Sequence, residues 1–236
     1  MPSSPFFEYA ATHVDELILA LRQHLIFVGV ALGFSIAICV PLGIWTSRPN
    51  ARSRARSRAA AETVMNIVNG MRVIPSLAVL FLLIPYLGLS FGAAVFALTL
   101  LAMPPILINT DAGFRTVDAA VRESARGMGM TSRQILWQIE FPLALPVILT
   151  GIRTAMVEVI ASATLAAFIG GGGLGTFIVR GFAMYDAAIL LLGALPVALL
   201  ALIAEVVMSG LQRLAEPPRG RLSLTAPATA QSCREI

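Results

Sequence analysis

The apolar residues of this chain fall in long runs rather than in the one-sided or alternating patterns of a soluble fold. The first run, Leu25 to Trp45, matches the roughly 20 apolar residues that a helix needs to cross a bilayer. The second, Thr63 to Leu87, contains Pro75 and Pro85. It reads as one span, because membrane helices tolerate proline when neighbours re-satisfy the freed carbonyls. The third run, Ala93 to Ile108, is interrupted at Pro104-Pro105, and a polar segment, Asn109 to Glu140, follows it. The fourth span is Leu143 to Phe168 and the fifth Ala187 to Leu211, with a glycine-rich stretch, Gly170 to Asp186, between them. The pattern predicts an all-α membrane protein of about five transmembrane helices, with no long-period repeat. Gly29 and Gly33 form a small-xxx-small pair, a spacing that lets helices approach closely.

Composition agrees with the membrane reading. Hydrophobic residues make up 57% of the chain and charged residues only 13%, against about 25% charged in ordinary soluble domains. Charge adds an orientation. All 17 basic residues are Arg. Arg48, Arg52, Arg54, Arg56 and Arg58 crowd the first connection, and Arg115, Arg122, Arg126, Arg133, Arg213, Arg219, Arg221 and Arg234 fall on the same side of a five-span topology. Only Arg22 and Arg180 fall on the other side. The positive-inside rule then sets the N-terminus outside and the C-terminus in the cytoplasm. A sixth span over Ser162–Ala183 would have to bury Arg180 and a run of glycines, so five is preferred. The arginines are a topology signal, and no nucleic-acid partner is expected.

The expected organisation is an extracytoplasmic segment over 1–24, a membrane domain over 25–212 and a disordered, Pro/Ser/Thr/Ala-rich cytoplasmic tail over 213–236. Glu8, Asp15 and Glu16 make the beginning acidic, so a cleaved leader is not expected. His13 and His24 read as solvated or interfacial, and Cys39 and Cys233 are expected to form neither a disulfide nor a metal site.

Several chemistries are excluded or weakened. A phosphate loop of the G-x-x-x-x-G-K-[ST] type requires a lysine, and the chain has none; any ATP must be bound by another chain. Gly170-Gly-Gly-Gly-Leu-Gly175 fits G-x-G-x-x-G, but it lies between two spans rather than between a strand and a helix, so a flexible or re-entrant outer loop is expected instead of a cofactor site. An intramembrane serine hydrolase is the alternative from another class; both histidines lie near the N-terminus and no G-x-S-x-G occurs. No catalytic, cofactor-binding or metal-ligating residue is assigned.

The segment 118–142 carries the most information. Asp118 is a good N-cap for a short helix, and Gly127 or Gly129 can end it in a left-handed conformation. Thr131 and Gln134 have capping-box spacing for a second helix running toward Pro142. The expected product is a compact knob of two helices about a glycine corner, suited to docking into a groove.

This segment resembles the EAA loop of bacterial binding-protein-dependent ABC importers, E-A-A-x3-G-x9-I-x-L-P. Glu123-Ser124-Ala125 stands at its start, Gly129 at the glycine, Ile139 at the isoleucine with nine residues between, and Phe141-Pro142 at its close. Ser124 and Phe141 depart mildly from the pattern. The resemblance implies a coupling role for Glu123, Ser124, Ala125, Gly129, Ile139 and Pro142 toward an ATPase subunit. Arg72-Val-Ile-Pro-Ser-Leu-Ala78, Pro105-Ile-Leu-Ile-Asn-Thr110 with Gly113, Pro142 to Thr154, and Phe168 to Gly175 are similar to the osmoprotectant permeases of that group, which carry glycine betaine, choline, carnitine or proline betaine. Arg72 stands where those have a neutral polar residue. Methionine-, taurine- and phosphonate-type permeases share the loop, and a permease of an amino-acid, methionine or taurine-type importer is the alternative.

The resemblance implies a methionine-importer-like permease fold in the bacterial inner membrane. The expected partners are ATPase subunits, a second permease, identical or a sibling, an extracytoplasmic binding protein and lipid, with no cofactor. Arg153 and Glu158 in the fourth span are expected either to line the pathway or to pair with another helix, and Glu205 to lie at the interface. Phe81, Phe96 and Phe168 are among the few aromatic faces the spans offer a quaternary ammonium group.

Overall fold

The computed structural model describes residues 5–48 and 54–215, with side chains over 9–48 and 58–215. The tail beyond Ala215, with Cys233, and residues 49–53 of the arginine tract lie outside the described residues. Ten α-helices form among them: α1 (Pro5–Thr12), α2 (Val14–Ser47), α3 (Arg54–Met71), α4 (Ser76–Leu87), α5 (Phe91–Arg115), α6 (Ala119–Gly127), α7 (Ser132–Gln134), α8 (Phe141–Ser162), α9 (Gly175–Met184) and α10 (Ala187–Ala215). A wide π-type turn (Ile135–Glu140) joins α7 to α8, and a tighter 3₁₀ segment (Ala163–Ile169) extends α8, so Ser132–Ile169 is one 38-residue helical run. No strand forms among the described residues.

Four of these helices are long and apolar enough to cross a membrane: α2, α5, the Ser132–Ile169 run and α10. A fifth span exists if α3 and α4 together count as one. The expectation of a single helix over Thr63–Leu87 is corrected here, since the chain bends by 101° between α3 and α4. Ile74 precedes Pro75 and is pushed out of the helical region. Pro75 itself sits at φ −60°, ψ 134° and caps α4 without a side-chain hydrogen bond. Pro85, by contrast, lies inside α4 without ending it. The interruption expected at Pro104-Pro105 is also absent: α5 runs unbroken through both prolines to Arg115, farther than Ile108.

The core forms where α2, α5 and α8 meet. The buried face of α2 includes Phe27, Ala31, Ser35, Cys39 and Gly43, the last four at intervals of four. These small residues bring α5 close: Ser35 Oγ donates to Thr99 O at 3.0 Å, and a Cβ on Gly43 would meet Thr110 at 2.6 Å. The close approach therefore lies on this stripe and not at Gly29 and Gly33, which face open space. On the other side of α5, Gly151 of α8 lies against Pro105 O and Asn109.

The span boundaries move outward as well. Helix α2 begins at Val14, inside the segment expected to precede the first span, with Asp15 and Glu16 in its first turn where they favour the helix dipole. Its 34 residues reach about 51 Å, more than the roughly 30 Å hydrocarbon core.

Candidate functional site

Two ends of the bundle differ in chemistry. At one end lies the two-helix knob. The Asp118 side chain caps α6 by accepting from Ala120 N at 2.9 Å. The helix closes in a Schellman arrangement: Gly129 N–H donates to Arg126 O at 2.9 Å and Met130 N–H to Ala125 O at 3.2 Å. Gly129 holds φ +80°, the left-handed corner that glycine adopts without penalty. Thr131 and Gln134 form the capping box, with Thr131 N–H donating to the Gln134 side chain at 2.8 Å. The corner, cap and second helix thus follow the local sequence signals. The second helix does not end at Pro142, however. Phe141 N–H reaches back to Leu136 O, making the wide turn directly before a proline that has no N–H to donate, and the helix continues into the span.

Glu123, Ser124 and Gly129 are exposed, as is Pro142; Ile139 is half-buried, and Ala125 is buried at 1% exposure. The knob therefore presents its acid outward and anchors through its alanine. Met128 (74% exposed) and Trp137 (53%) add apolar surface beside it, and Thr131, Arg133, Gln134, Trp137 and Gln138 line a shallow recess.

Beneath the knob is a charge cluster that sequence reasoning missed. Glu140 is 3% exposed and takes Arg122 Nε of α6 at 2.8 Å and the Arg48 guanidinium from the end of α2. Arg122 also donates to Phe114 O at the end of α5. One carboxylate thus ties the knob to two spans. A second cluster lies close by: Asp111 accepts from Thr46 Oγ1 at 2.8 Å and from Arg115 Nε at 2.6 Å, and Arg115 also donates to Thr46 O. The i, i+4 spacing of Asp111 and Arg115 was a readable signal. The partners of Glu140 lie too far along the chain to leave one.

The other end carries the glycine-rich stretch, which is pinned to α2. Gly173 N–H donates to Gln23 Oε1 at 3.0 Å, and Gly170, Gly172 and Gly173 hold φ values of 72°, 80° and 80°. Helix α9 begins at Gly175, and Arg180 on it pairs with Glu16 at 3.2 Å. Hydrogen bonds with Tyr9 and Glu16 hold the Arg180 guanidinium above its ordinary pKa. His24 packs under this stretch, fully buried, with Nε2 3.1 Å from Ile160 O. The solvated reading of His24 is thereby corrected. His13, half-buried, stacks on Tyr9.

Within the spans, Arg153 and Glu158 have different surroundings. Arg153 pairs with Glu205 of α10, with Nε 2.9 Å from the carboxylate, and reaches Gln212 at 3.4 Å. Glu205 is thus a pairing partner rather than a merely interfacial group. Glu158 lies beside that pair in one pocket and also lines a second cavity, of about 480 Å³, that takes in Arg72, Pro75 and Pro104. Phe81, Phe96 and Phe168 do not line it.

Several long apolar helices around a small-residue core, with irregular backbone beside a charged mid-span cavity, define a multi-pass membrane transport subunit. Residues 39–219 match the family described as the binding-protein-dependent transport system inner membrane component, and the chain belongs to that family. It is 42% identical over 197 residues to the carnitine transport permease protein OpuCB of Listeria monocytogenes, covering 84% of this chain and 87% of that one. It is 37% identical over 209 residues to the glycine betaine/carnitine/choline transport system permease protein OpuCB of Bacillus subtilis (strain 168), covering 89% and 93%. Its fold superimposes on the inward-facing MetNI methionine ABC transporter with a TM-score of 0.76 at 21% identity, over 87% of this chain and 99% of that one. The chain is an ABC-importer permease subunit of the inner membrane, a transport component rather than an enzyme. Its family works with a substrate-binding protein and an ATPase.

Proposed function

We propose that this chain forms the translocation pathway of an importer for osmoprotectants of the glycine betaine, choline, carnitine or proline betaine type. The relatives whose names give carnitine, choline and glycine betaine support the substrate class. The carrying observation for coupling is the exposed knob, cornered at Gly129 and braced on Glu140. Glu123, Ser124, Ala125, Gly129, Ile139 and Pro142 shape its contact with the ATPase on the cytoplasmic side. A second permease, identical or a sibling, encloses the pathway within the lipid, and the binding protein delivers substrate at the opposite face. ATP-driven closure of the ATPases moves the knobs and rocks the permeases between outward-open and inward-open states.

Cells lacking the chain are expected to lose binding-protein-dependent uptake of labelled glycine betaine, choline or carnitine. Retained uptake of all of these, with methionine or taurine uptake lost, reassigns the substrate.

The same reading fixes the orientation. A reporter fused after Arg213 is expected to read cytoplasmic, and one inserted near Gly172 to read external. An external reading at Arg213 overturns the assignment of the termini.

A further inference from the structure

Most charges that the spans carry are matched within the protein. Arg153 has Glu205 and Arg115 has Asp111. Arg72 and Glu158 line one cavity, and no ion pair joins them. The cavity sits beside Leu101, Pro104 and Pro105, at the middle of α5, a helix long and apolar enough to cross a membrane. Its other wall is the break between α3 and α4. Irregular backbone at membrane depth is tolerated where it lines a water-filled cavity, and charged groups there face such cavities or each other. Its volume of about 480 Å³ falls within the range of small-ligand sites.

We propose that this cavity is a transport subsite for a small zwitterion, with Arg72 receiving the carboxylate and Glu158 facing the quaternary ammonium end. The proposal rests on the osmoprotectant reading above. A guanidinium matches a carboxylate with two parallel hydrogen bonds. A quaternary ammonium has no N–H to donate, so it needs negative charge or π-electrons around its methyl groups. No aromatic side chain lines the cavity, which leaves that task to the Glu158 carboxylate. Two opposite charges held apart across a ligand-sized gap fit a ligand that carries both.

The test uses the full transporter, with its ATPase and binding protein, in cells and then in proteoliposomes, with labelled glycine betaine and choline as probes. Arg72→Gln is expected to lower glycine betaine transport about tenfold, the loss of one charge-assisted contact. Choline, which has no carboxylate, falls by no more than about twofold in that variant. Glu158→Gln lowers both substrates about tenfold. In both variants ATP hydrolysis stimulated by loaded binding protein persists, because docking and coupling are untouched; a merely structural role lowers hydrolysis and transport together. Arg72→Lys keeps the charge without the two-pronged geometry and shows the same selective loss at smaller size, which decides the matter should Arg72→Gln fail to accumulate in the membrane. Equal losses of both substrates in Arg72→Gln, unchanged transport, or hydrolysis falling in step overturn the subsite. A wild-type transporter that moves no quaternary ammonium compound overturns the osmoprotectant reading itself, and one that moves choline but no carboxylated compound overturns the role of Arg72 alone.

Discussion

Gly129→Val and Glu123→Arg are each expected to abolish transport while the chain still inserts in the membrane. Gly129 holds φ +80°. A β-branched residue there is a genuine outlier, costing on the order of 1–3 kcal/mol of backbone strain. No neighbour lies where its Cβ would go, so the effect comes through the backbone and not through a clash. The corner opens, the two Schellman hydrogen bonds to Arg126 O and Ala125 O are lost, and α6 is re-aimed. Glu123 is exposed, so its replacement leaves the knob folded and reverses the charge offered to the ATPase. The measurement is a pull-down of the ATPase combined with hydrolysis stimulated by loaded binding protein. Normal assembly and normal stimulation in both variants refute the coupling role of the loop.

Glu140→Ala is expected to produce the largest loss of stability. It leaves Arg48 and Arg122 without their shared carboxylate at a site where Glu140 is only 3% exposed. Breaking a fully buried pair on one side costs about 3–5 kcal/mol, and the part exposure of Arg48 and Arg122, 33% and 29%, puts the expected loss toward the low end of that range. A thermal-unfolding midpoint in detergent should fall well below that of the wild type, and stimulated hydrolysis should be lost with it. Adding Arg122→Leu should recover part of the midpoint, because one uncompensated charge is then removed. A midpoint unchanged in Glu140→Ala shows that the cluster does not hold the knob to the spans.

The spans were legible because apolar runs of bilayer length have few other readings. The knob was legible because Asp118, Gly129, Thr131 and Gln134 act on their own neighbours, with hydrogen bonds only two to five residues long. What escaped was tertiary. Pro75 and Pro85 look alike in an apolar run, yet only Pro75 falls where the chain turns. His24 looked solvated because its cover comes from Gly173 and Ile160, far along the chain. The helix-contact stripe was hidden because Ser35 and Cys39 act as small residues there, while the glycines that drew attention face outward.

The helical run from Ser132 to Ile169 gives the protein a rigid crank. Gln134, in the recess beside the knob, and Glu158, at the mid-span cavity, ride on the same rod. The axial distance between them is about 36 Å. A tilt of about 10° pivoting at the knob sweeps Glu158 sideways by roughly 6 Å, more than one helical turn of rise. That throw is enough to carry the carboxylate from one side of a small solute to the other. Helix α10 is tied to the rod by Arg153 and Glu205, and α4, which follows the bend at Pro75, packs against α5 and the far end of the rod. The stroke would then be set by the stiffness of the rod, and shared by the helices packed along it.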